Sequence, residues 1–334
     1  MVAHHVDEWG IDALFPITEK SLKAILPRRD ELGGVKLPFP DASVFETVSD
    51  KARVLEAAAA IGLSVPRQWV WEKPEDVDLA EVPEGSYPLV IKPTRSVAEL
   101  GNPVQSVGLC YIDSVGEMKD WVAGAGPGDF PALVQERVFG DGAGVFVMTW
   151  DGELKAAVGH RRIREKPPSG GVSVLRESTE VNPELLDRSL RLLSQLGWVS
   201  GVAMVEYKLA EPTGAPVLME INGRFWGSLQ LAIDAGVDFP NLLLQAAGGR
   251  IPDPPVMGRP GVKSRWLLGD LDQLAVRLVK KRSDLRLPPG SPGRLKACME
   301  FLADFRPGVR TEVMRMSDPR PFIGEVGAWL NALR

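Results

Sequence analysis

Hydrophobic and polar positions alternate with a period of two in residues 201–209 and again in residues 215–222. Such alternation predicts two β-strands, each with two unlike faces. Between them lies Glu211-Pro212-Thr213-Gly214, whose composition is typical of a turn, so the strands are predicted to form a hairpin. If the hairpin is centred near Thr213, Glu206 and Glu220 lie directly opposite each other.

The face of the hairpin that carries these two glutamates is the candidate for chemistry. The first strand places on this face Val202, Met204, Glu206 and Lys208, and on the other face Ala203, Val205 and Tyr207. The second strand groups Leu218, Glu220 and Asn222 on one face. Because opposed like charges repel, the two carboxylates either turn into water, as on an ordinary solvated hairpin, or hold a cation between them.

The residues that follow Glu220 favour the cation. Carboxylate and carboxamide oxygens are hard ligands of the kind that Mg2+ binds, and Asn222 supplies the carboxamide. Gly223 is free to take any backbone angle, and Arg224 adds a permanent positive charge that suits phosphate oxygens. The sequence therefore predicts a metal and phosphate site at this end of the hairpin.

Glu206, followed by Glu220-Ile221-Asn222-Gly223-Arg224, resembles the metal-binding end of the ATP-grasp ligases, of the carboxylate–amine ligase type that includes proteins like the carbamoyl-phosphate synthase large subunit. The resemblance covers roughly residues 50–248. It implies an α+β (α/β) fold in which ATP lies between two α+β lobes. It also implies that Glu206, Glu220 and Asn222 bind Mg2+, with Mn2+ as an alternative ion, and that Arg224 stabilises the transferred phosphoryl group.

The resemblance also suggests how the chain is divided. We expect residues 1–48 to form a partial nucleotide-fold-like subdomain and residues 49–250 to form the ATP-grasp core. Within the core, the first lobe is expected at residues 49–137 and the second at residues 138–250. Residues 251–334 are expected to form a C-terminal helical extension, in which we find no catalytic constellation.

The N-terminal pattern predicts a small parallel βαβ unit. Residues 11–17 and 32–39 are predicted strands on either side of a helix over residues 18–26. A unit of this size has free edges and too little cover to be a domain alone. The resemblance implies a larger subdomain here, so we expect a second chain, as in a homodimer, or a missing part to complete it.

In the first lobe, a helix is predicted to start at Ser49-Asp50-Lys51-Ala52 and to stop at Gly62, followed by strands over residues 68–71 and 87–93. The resemblance implies that Lys92 contacts the nucleotide phosphates, since lysine is a compact point charge. It makes Lys51 a second phosphate candidate, against the alternative of a surface residue in a first helical turn. The flexible phosphate flap is expected at residues 94–107, where Gly101 is the only glycine.

A predicted strand over residues 131–135 leads into a glycine-rich segment that ends at Gly144. This segment resembles the hinge between the lobes, which implies that Glu136, Arg137 and Val138 meet the adenine and that Asp141 meets the ribose. The alternative is a glycine-rich turn before a strand over residues 145–150. The segment matches neither a Walker phosphate loop nor the dinucleotide fingerprint.

The next predicted strand covers residues 154–165, and its alternation places on one face Leu154, Ala156, Val158, His160, Arg162 and Arg164. A face that changes from apolar to cationic leads from a core into a pocket. The loop after it contributes Ser169, Gly170 and Gly171, and glycines allow close backbone approach. We expect strand and loop to hold a carboxylate or acyl phosphate, with Arg162 and Arg164 as catalytic residues and His160 with the loop as substrate contacts. A solvated edge strand is the alternative.

Helices complete the predicted core and its extension. The apolar spacing predicts helices over residues 183–196, 228–236, 239–247, 268–279 and 321–333.

Composition narrows the class of protein. Lys and Arg number 39 against 44 Asp and Glu, a net charge of −5, which argues against nucleic acid or an anionic membrane as the main partner. Hydrophobic residues at 44% and charged residues at 25% are ordinary for a globular protein. Cys110 and Cys298 give no disulfide framework, and no signal peptide or membrane-spanning run is evident. A cytoplasmic setting is expected.

Together these observations predict an ATP-dependent ligase that activates a small-molecule carboxylate as an acyl phosphate and joins it to an amine, or to a thiol. Two alternatives remain. The chain could be an ATP-binding partner subunit that has lost its chemistry, or a structural or regulatory α+β protein without a nucleotide.

Overall fold

Two β-sheets organise the protein, and the computed structural model describes residues 2–94 and 109–332. The predicted phosphate flap, apart from Thr94, lies outside the described residues, and so does Gly101. The smaller sheet is antiparallel, with the strand order β1-β4-β2-β3. Its strands are β1 (Gln68–Trp71), β2 (Leu89–Pro93), β3 (Cys110–Ile112) and β4 (Ala132–Glu136).

The larger sheet follows the order β12-β11-β7-β6-β5-β8-β9, with β10 paired to β6. Its strands are β5 (Gly140–Trp150), β6 (Glu153–Lys166), β7 (Val172–Thr179), β8 (Gly201–Ala210), β9 (Ala215–Asn222), β10 (Val256–Met257), β11 (Lys263–Arg265) and β12 (Val309–Thr311). The predicted hairpin is confirmed as β8 and β9, and β7 was not predicted.

The helices in the described part of the chain are α1 (Val2–Trp9), α2 (Glu19–Ile25), α3 (Ala42–Ser49), α4 (Lys51–Ala60), α5 (Val115–Gly124), α6 (Pro183–Gln195), α7 (Leu229–Asp234), α8 (Phe239–Ala247), α9 (Leu267–Val279), α10 (Arg294–Ala303) and α11 (Arg320–Ala332). Short 3-10 helices lie at Leu26–Leu32, Pro74–Asp76, Leu79–Glu81, Glu84–Ser86, Pro127–Asp129 and Arg282–Leu285. None of the described helices is both long and apolar enough to cross a lipid bilayer.

The larger sheet is buried on both faces. On one face, Phe146, Val158 and Met204 pack under α7, α8 and the N-terminal segment. On the other face, Val145 and Val205 pack under α4 and α6. This layered arrangement gives the sheet the cover that a large α+β core needs, and it places the cationic end of β6 beside the smaller sheet.

The N-terminal strands were predicted wrongly. Residues 11–17 and 32–39 share only one parallel bridge, between Ala13 and Lys36. An isolated pair of strands is at best marginally stable, and several of the apolar side chains, such as Leu37 and Phe39, are buried against the larger sheet instead. The helix between them is confirmed as α2, and the Thr18 hydroxyl caps it by accepting from the Ser21 N–H.

The register of the hairpin is the predicted one where it matters, because Glu206 pairs with Glu220. A β-bulge follows, since Tyr207 pairs with Leu218 and Met219 is left between the two pairs. An extra residue reverses the alternation of faces. The prediction that Leu218 shares a face with Glu220 is therefore wrong, and Leu218 is buried in the opposite core.

A second irregularity divides the cationic end of β6. The register shifts between Arg162 and Arg164, so Arg164 leaves the face that Arg162 occupies. A shift between Met148 and Thr149 on β5 likewise moves Leu154 to the opposite core. The predicted continuous face of β6 therefore extends only from Ala156 to Arg162.

The C-terminal segment is more than the expected helical extension. Strand β11 pairs with β7, and β12 pairs with β11, so residues beyond 250 extend the larger sheet. The helices α9 and α11 are confirmed to within about a residue of their predicted bounds, and α10 was not predicted. The division of the chain into domains stays a prediction.

Candidate functional site

A cavity of about 190 Å3 lies between the two sheets. The smaller sheet contributes Val90, Lys92 and Gln135 to its wall, and the larger sheet contributes Arg162, Glu206 and Glu220. These six side chains come from five different strands. Their meeting therefore depends on the way the two sheets face each other.

Two lysines act on Glu220, Lys51 by direct contact and Lys92 at longer range. The Nζ atom of Lys51 lies 3.2 Å from a Glu220 carboxylate oxygen. Lys51 is placed by the first turn of α4, where the Asp50 carboxylate caps the helix and the Lys51 N–H donates to the Thr94 carbonyl at 3.0 Å. Burial by itself would raise the pKa of Glu220, but Lys51 and Lys92 lower that pKa to about 2. The carboxylate is therefore ionised at every physiological pH.

Glu206 faces a guanidinium instead. Arg162 pairs with the Glu206 carboxylate and also donates to Glu165 at 3.0 Å. Burial raises the pKa of Glu206, although Arg162 opposes this effect. The Arg162 side chain crosses β5 at Gly142, where an added Cβ would lie 2.7 Å from the Arg162 Cδ. A side chain at this position would therefore force the Arg162 side chain to move.

Lys92 is a cation of the cavity whose charged form is destabilised by its surroundings. Burial and the neighbouring Lys51 lower the pKa of Lys92 to about 8, although Glu220 and Glu206 oppose the shift. Among the residues that the structure describes, no carboxylate lies within ion-pair distance of the Lys92 ammonium. An anionic ligand in the cavity would supply the missing partner.

The predicted metal ligands come together. Glu206 and Glu220 are cross-strand neighbours, and the Asn222 amide donates to a Glu220 oxygen at 3.1 Å. No cluster of three or more His, Cys, Asp or Glu suited to a metal occurs in residues 2–94 and 109–332. Two carboxylates and one amide oxygen fit Mg2+, which keeps water and phosphate oxygens as its other ligands.

Gly223 is needed for a different reason from the predicted one. Its backbone is not left-handed, but an added Cβ would lie 2.7 Å from the ring of Trp198. The close approach of Trp198 therefore excludes any side chain here.

The segment between the sheets lines the cavity with backbone and side-chain groups. The Val138 N–H has no acceptor among the described residues, whereas the N–H groups of Glu136 and Arg137 donate to the carbonyls of Arg67 and Pro88, both at 2.9 Å. Val138 lines the cavity, so its free N–H is available to a ligand.

Arg137 fastens this segment to its surroundings. Its guanidinium lies over the Tyr111 and Phe139 rings, at 4.3 and 4.8 Å from their centroids. It also donates to the Ser169 carbonyl at 2.9 Å and to the Arg286 carbonyl at 2.6 Å.

Asp141, the predicted ribose contact, is exposed and does not line the cavity, although its neighbours Gly140 and Gly142 do.

The loop after β6 reaches the cavity as predicted. Ser169, Gly170 and Gly171 line it, and the Tyr111 hydroxyl donates to the Ser169 carbonyl at 3.0 Å. This bond joins the loop to the smaller sheet. The Ser169 and Gly170 carbonyls therefore already accept hydrogen bonds from Tyr111 and Arg137, and they are less available to a substrate.

His160 is not brought to the cavity. It is 2% exposed and is stacked on Phe146 with 4.3 Å between the ring centroids. Neither ring nitrogen has a hydrogen-bond partner in the described part of the chain. Burial, together with Arg162 and Arg176, keeps the pKa of His160 well below its ordinary value. The ring is neutral, and it packs as an aromatic side chain.

Arg164 is also not brought to the cavity. Its guanidinium donates to both carboxylate oxygens of Asp270, at 2.8 and 2.7 Å, and to Asp304 at 2.7 Å. Asp270 is fully buried and also accepts from Arg265 at 2.7 Å. Arg164 thus belongs to an ion-pair network with the C-terminal segment.

Arg224 lies at a second cavity, where it donates to the Phe225 carbonyl at 2.9 Å.

Sequence reasoning missed several residues that line the first cavity: Tyr111, Gln135, Glu165 and Lys208. Gln135 left a signal, since it is a polar residue at the end of an apolar strand, and it donates to the Gln68 side chain at 2.8 Å. Lys208 shares the predicted face of Glu206, and it donates to the Gly140 carbonyl at 3.2 Å. Glu165 left no signal, because the bulge on β6 brings it into Arg164's expected place.

Residues 129–268 match the family model described as ATP-grasp in the biosynthetic pathway with Ter operon. No curated protein matches the sequence. The matched region contains the segment between the sheets, the loop after β6 and the whole hairpin of β8 and β9.

Several solved structures share the fold. The L-amino acid ligase from Bacillus licheniformis is similar with a TM-score of 0.57 and 20% identity, over 74% of this chain and 58% of that one. The biotin carboxylase domain of the Hydrogenobacter thermophilus 2-oxoglutarate carboxylase, in complex with MgADP, ADP and bicarbonate, has a TM-score of 0.57 and 17% identity, over 78% and 59%.

An N5-carboxyaminoimidazole ribonucleotide synthetase from Thermus thermophilus has a TM-score of 0.55 and 17% identity, over 76% of this chain and 66% of that one. The chain spans less than two thirds of the length of the ligase and of the carboxylase domain. The predicted ATP-grasp fold and its α+β class are confirmed.

Proposed function

We propose that this protein binds ATP with Mg2+ between its two sheets and uses it to join a small-molecule carboxylate to an amine. The observation that carries the proposal is the pairing of Glu206 with Glu220 on one wall of a cavity whose other wall carries Lys92. Opposed acids beside a half-buried, partly unmatched lysine suit a metal–phosphate group better than they suit any apolar ligand.

The residues divide the work by their chemistry. Glu206, Glu220 and the Asn222 carbonyl would hold Mg2+, which offsets phosphate charge when bound. Lys92 and Lys51 bring positive charge to the phosphates, and in phosphoryl transfer the protein acts mainly by positioning and electrostatics. The free Val138 N–H donates to an acceptor on the adenine edge.

In the proposed reaction, an oxygen of the substrate carboxylate attacks the γ-phosphorus, and the bond from that phosphorus to the bridging oxygen breaks. ADP leaves with the electron pair. The amine nitrogen then attacks the acyl carbon, the carbon–oxygen bond to phosphate breaks, and the amine loses a proton to solvent. Arg224, two residues beyond Asn222, stabilises the negative charge that develops on the transferred group.

The similar structures support this proposal. One is described as an L-amino acid ligase, and another was solved with MgADP. Both have low identity to this chain, so the support that they give concerns the fold and the class of ligand.

The test mixes the protein with ATP, Mg2+ and pairs of carboxylic and amino compounds, and measures ADP. ADP release that requires both one carboxylate and one amine is expected. Tight ATP binding without ADP from any pair would instead show a nucleotide-binding partner subunit. Absence of any thermal shift with ATP and Mg2+ would contradict nucleotide binding altogether and leave a structural or regulatory role.

A further inference from the structure

A second cavity, of about 680 Å3, lies at the end of β9. Its volume is in the range of small-molecule sites, roughly 300–1,000 Å3. The lining is mostly apolar, and it comes from three separate parts of the chain. The N-terminal segment gives Phe15 and Ile17, the residues after β9 give Phe225 and Trp226, and α8 gives Leu244.

Two charged residues of opposite sign lie on the wall of this apolar cavity. Arg224 makes one hydrogen bond, to the Phe225 carbonyl, and no carboxylate among the described residues lies within ion-pair distance of it. Asp238 caps α8 by accepting from the Asn241 N–H at 3.1 Å, and its carboxylate has no cationic partner in the described part of the chain. Both charges are therefore available to a ligand.

The position of the cavity connects it to the nucleotide site. Arg224 follows Asn222 by two residues, and the Asn222 amide contacts Glu220. The second cavity thus begins where the proposed metal ligands end. Arg224 is therefore close in sequence to the residues beside which the γ-phosphoryl group would be transferred.

We propose that the second cavity binds an α-amino acid with an apolar side chain, as the carboxylate substrate of the proposed ligase. The carboxylate pairs with Arg224, the ammonium group pairs with Asp238, and the side chain packs on Trp226 and Leu244. A zwitterion satisfies both charges at once, and an apolar side chain gains free energy on these walls because it leaves water. The inference rests on the proposed function, since it names that reaction's substrate.

The experiment measures binding by calorimetry, with and without a non-hydrolysable ATP analogue and Mg2+. The probes are L-leucine, L-phenylalanine, L-glutamate and L-lysine. Two leucine analogues separate the charges, because 4-methylpentanoate lacks the ammonium group and 3-methylbutylamine lacks the carboxylate. L-Leucine or L-phenylalanine should bind at least about tenfold more tightly than the polar amino acids and both analogues, since tenfold corresponds to the loss of one interaction of ordinary strength.

Variants locate the binding. Leu244→Glu places a charge on the apolar wall at a residue that is 50% exposed, so the fold should tolerate it. Arg224→Gln removes the carboxylate partner, and Asp238→Ser removes the charge but keeps a helix-capping hydroxyl. Each should weaken L-leucine at least about tenfold. ATP should still bind to Leu244→Glu and Asp238→Ser, because neither residue lines the first cavity. Leu302→Glu, at an exposed residue of α10 that lies outside both cavities, is the matched control and should leave L-leucine binding unchanged.

The outcomes separate the inference from the proposed function. Unchanged L-leucine binding in Arg224→Gln and Leu244→Glu would overturn the inference, and so would equal binding of L-leucine and 4-methylpentanoate. If ATP binds and no apolar amino acid does, the inference fails while the nucleotide site stands. If L-leucine binds as described and ATP does not, the amino-acid site is supported and the ligase proposal fails.

Discussion

Two buried groups of ionic side chains meet along β6, and they differ in one respect. The open cluster consists of Lys92, Arg162, Glu206 and Glu220, which line the first cavity, and of Lys51, which pairs with Glu220. The closed cluster lies against the C-terminal helices and consists of Arg164, Arg265, Asp270 and Asp304. In the closed cluster each guanidinium group forms an ion pair with a carboxylate. In the open cluster, by contrast, Lys92 has no carboxylate within ion-pair distance among the described residues.

The comparison shows that residue type does not decide the role of a buried charge. Arg162 and Arg164 are separated by one residue and belong to different clusters because of a bulge. Asp270 accepts three hydrogen bonds from two arginines and is fully buried, so no ligand can reach it. A charge that the protein leaves only partly matched, beside a cavity, is the one available for binding.

The largest effect is expected from Asp270→Asn, which tests whether the closed cluster is structural. The change leaves two guanidinium groups buried without their shared carboxylate, and breaking a buried pair in this way costs about 3–5 kcal/mol. Urea unfolding followed by fluorescence would measure it. At temperatures where the variant stays folded, ATP affinity should equal that of the unchanged protein, and a selective loss of ATP affinity would remove the distinction between the clusters.

Glu220→Gln tests the open cluster in the opposite sense. ADP formation should fall by about 10²- to 10³-fold, as when one charged group is removed from a transition-state site. Stability should also decrease, because a pKa of about 2 means that Lys51 and Lys92 stabilise the ionised carboxylate by more than burial destabilises it. ADP formation is therefore compared at temperatures where the variant stays folded. Steady-state kinetics and the unfolding midpoint are the two measurements, and full turnover in this variant would refute the proposed site.

Arg164→Lys separates the position of Arg164 from the catalytic role expected of it. Lysine keeps the charge but cannot reproduce the two parallel hydrogen bonds to Asp270. The free energy of unfolding should decrease by about 2 kcal/mol, the size of one hydrogen bond to a charged group. Turnover of the folded enzyme should stay the same, whereas a fall in kcat at constant stability would return Arg164 to the active site.

The smallest effect is a pH dependence of nucleotide affinity, set by Lys92. With its pKa lowered to about 8, the Lys92 ammonium is protonated below that pH and loses its proton above it. Phosphates attract only the protonated form, so affinity should fall as the pH rises from 7 to 9, by about tenfold per unit of pH at most. Lys92→Arg, which stays charged, should give a nearly flat profile, and a steep profile in that variant would assign the titration to another group.

The hairpin of β8 and β9 could be predicted because the residues that indicate it lie close together in the sequence. Alternation over residues 201–209, turn residues around Thr213 and the Glu-Ile-Asn-Gly-Arg segment are all read without knowing what packs nearby. The same reasoning failed at the N-terminus, where an apolar run looks alike whether it pairs as a strand or packs on another sheet. Only burial against the larger sheet distinguishes the two.

The sequence by itself determined which two strands carry the acids, that Glu206 faces Glu220, and that a lysine lies near the end of β2. The tertiary structure decided which cations reach those acids. Bulges at Met219 and after Arg162 reverse the alternation, and they arise from pairing between strands, which period-two counting along one strand cannot detect. Likewise, Arg164 finds Asp270 across 106 residues of chain, a distance over which only the folded packing brings charges together.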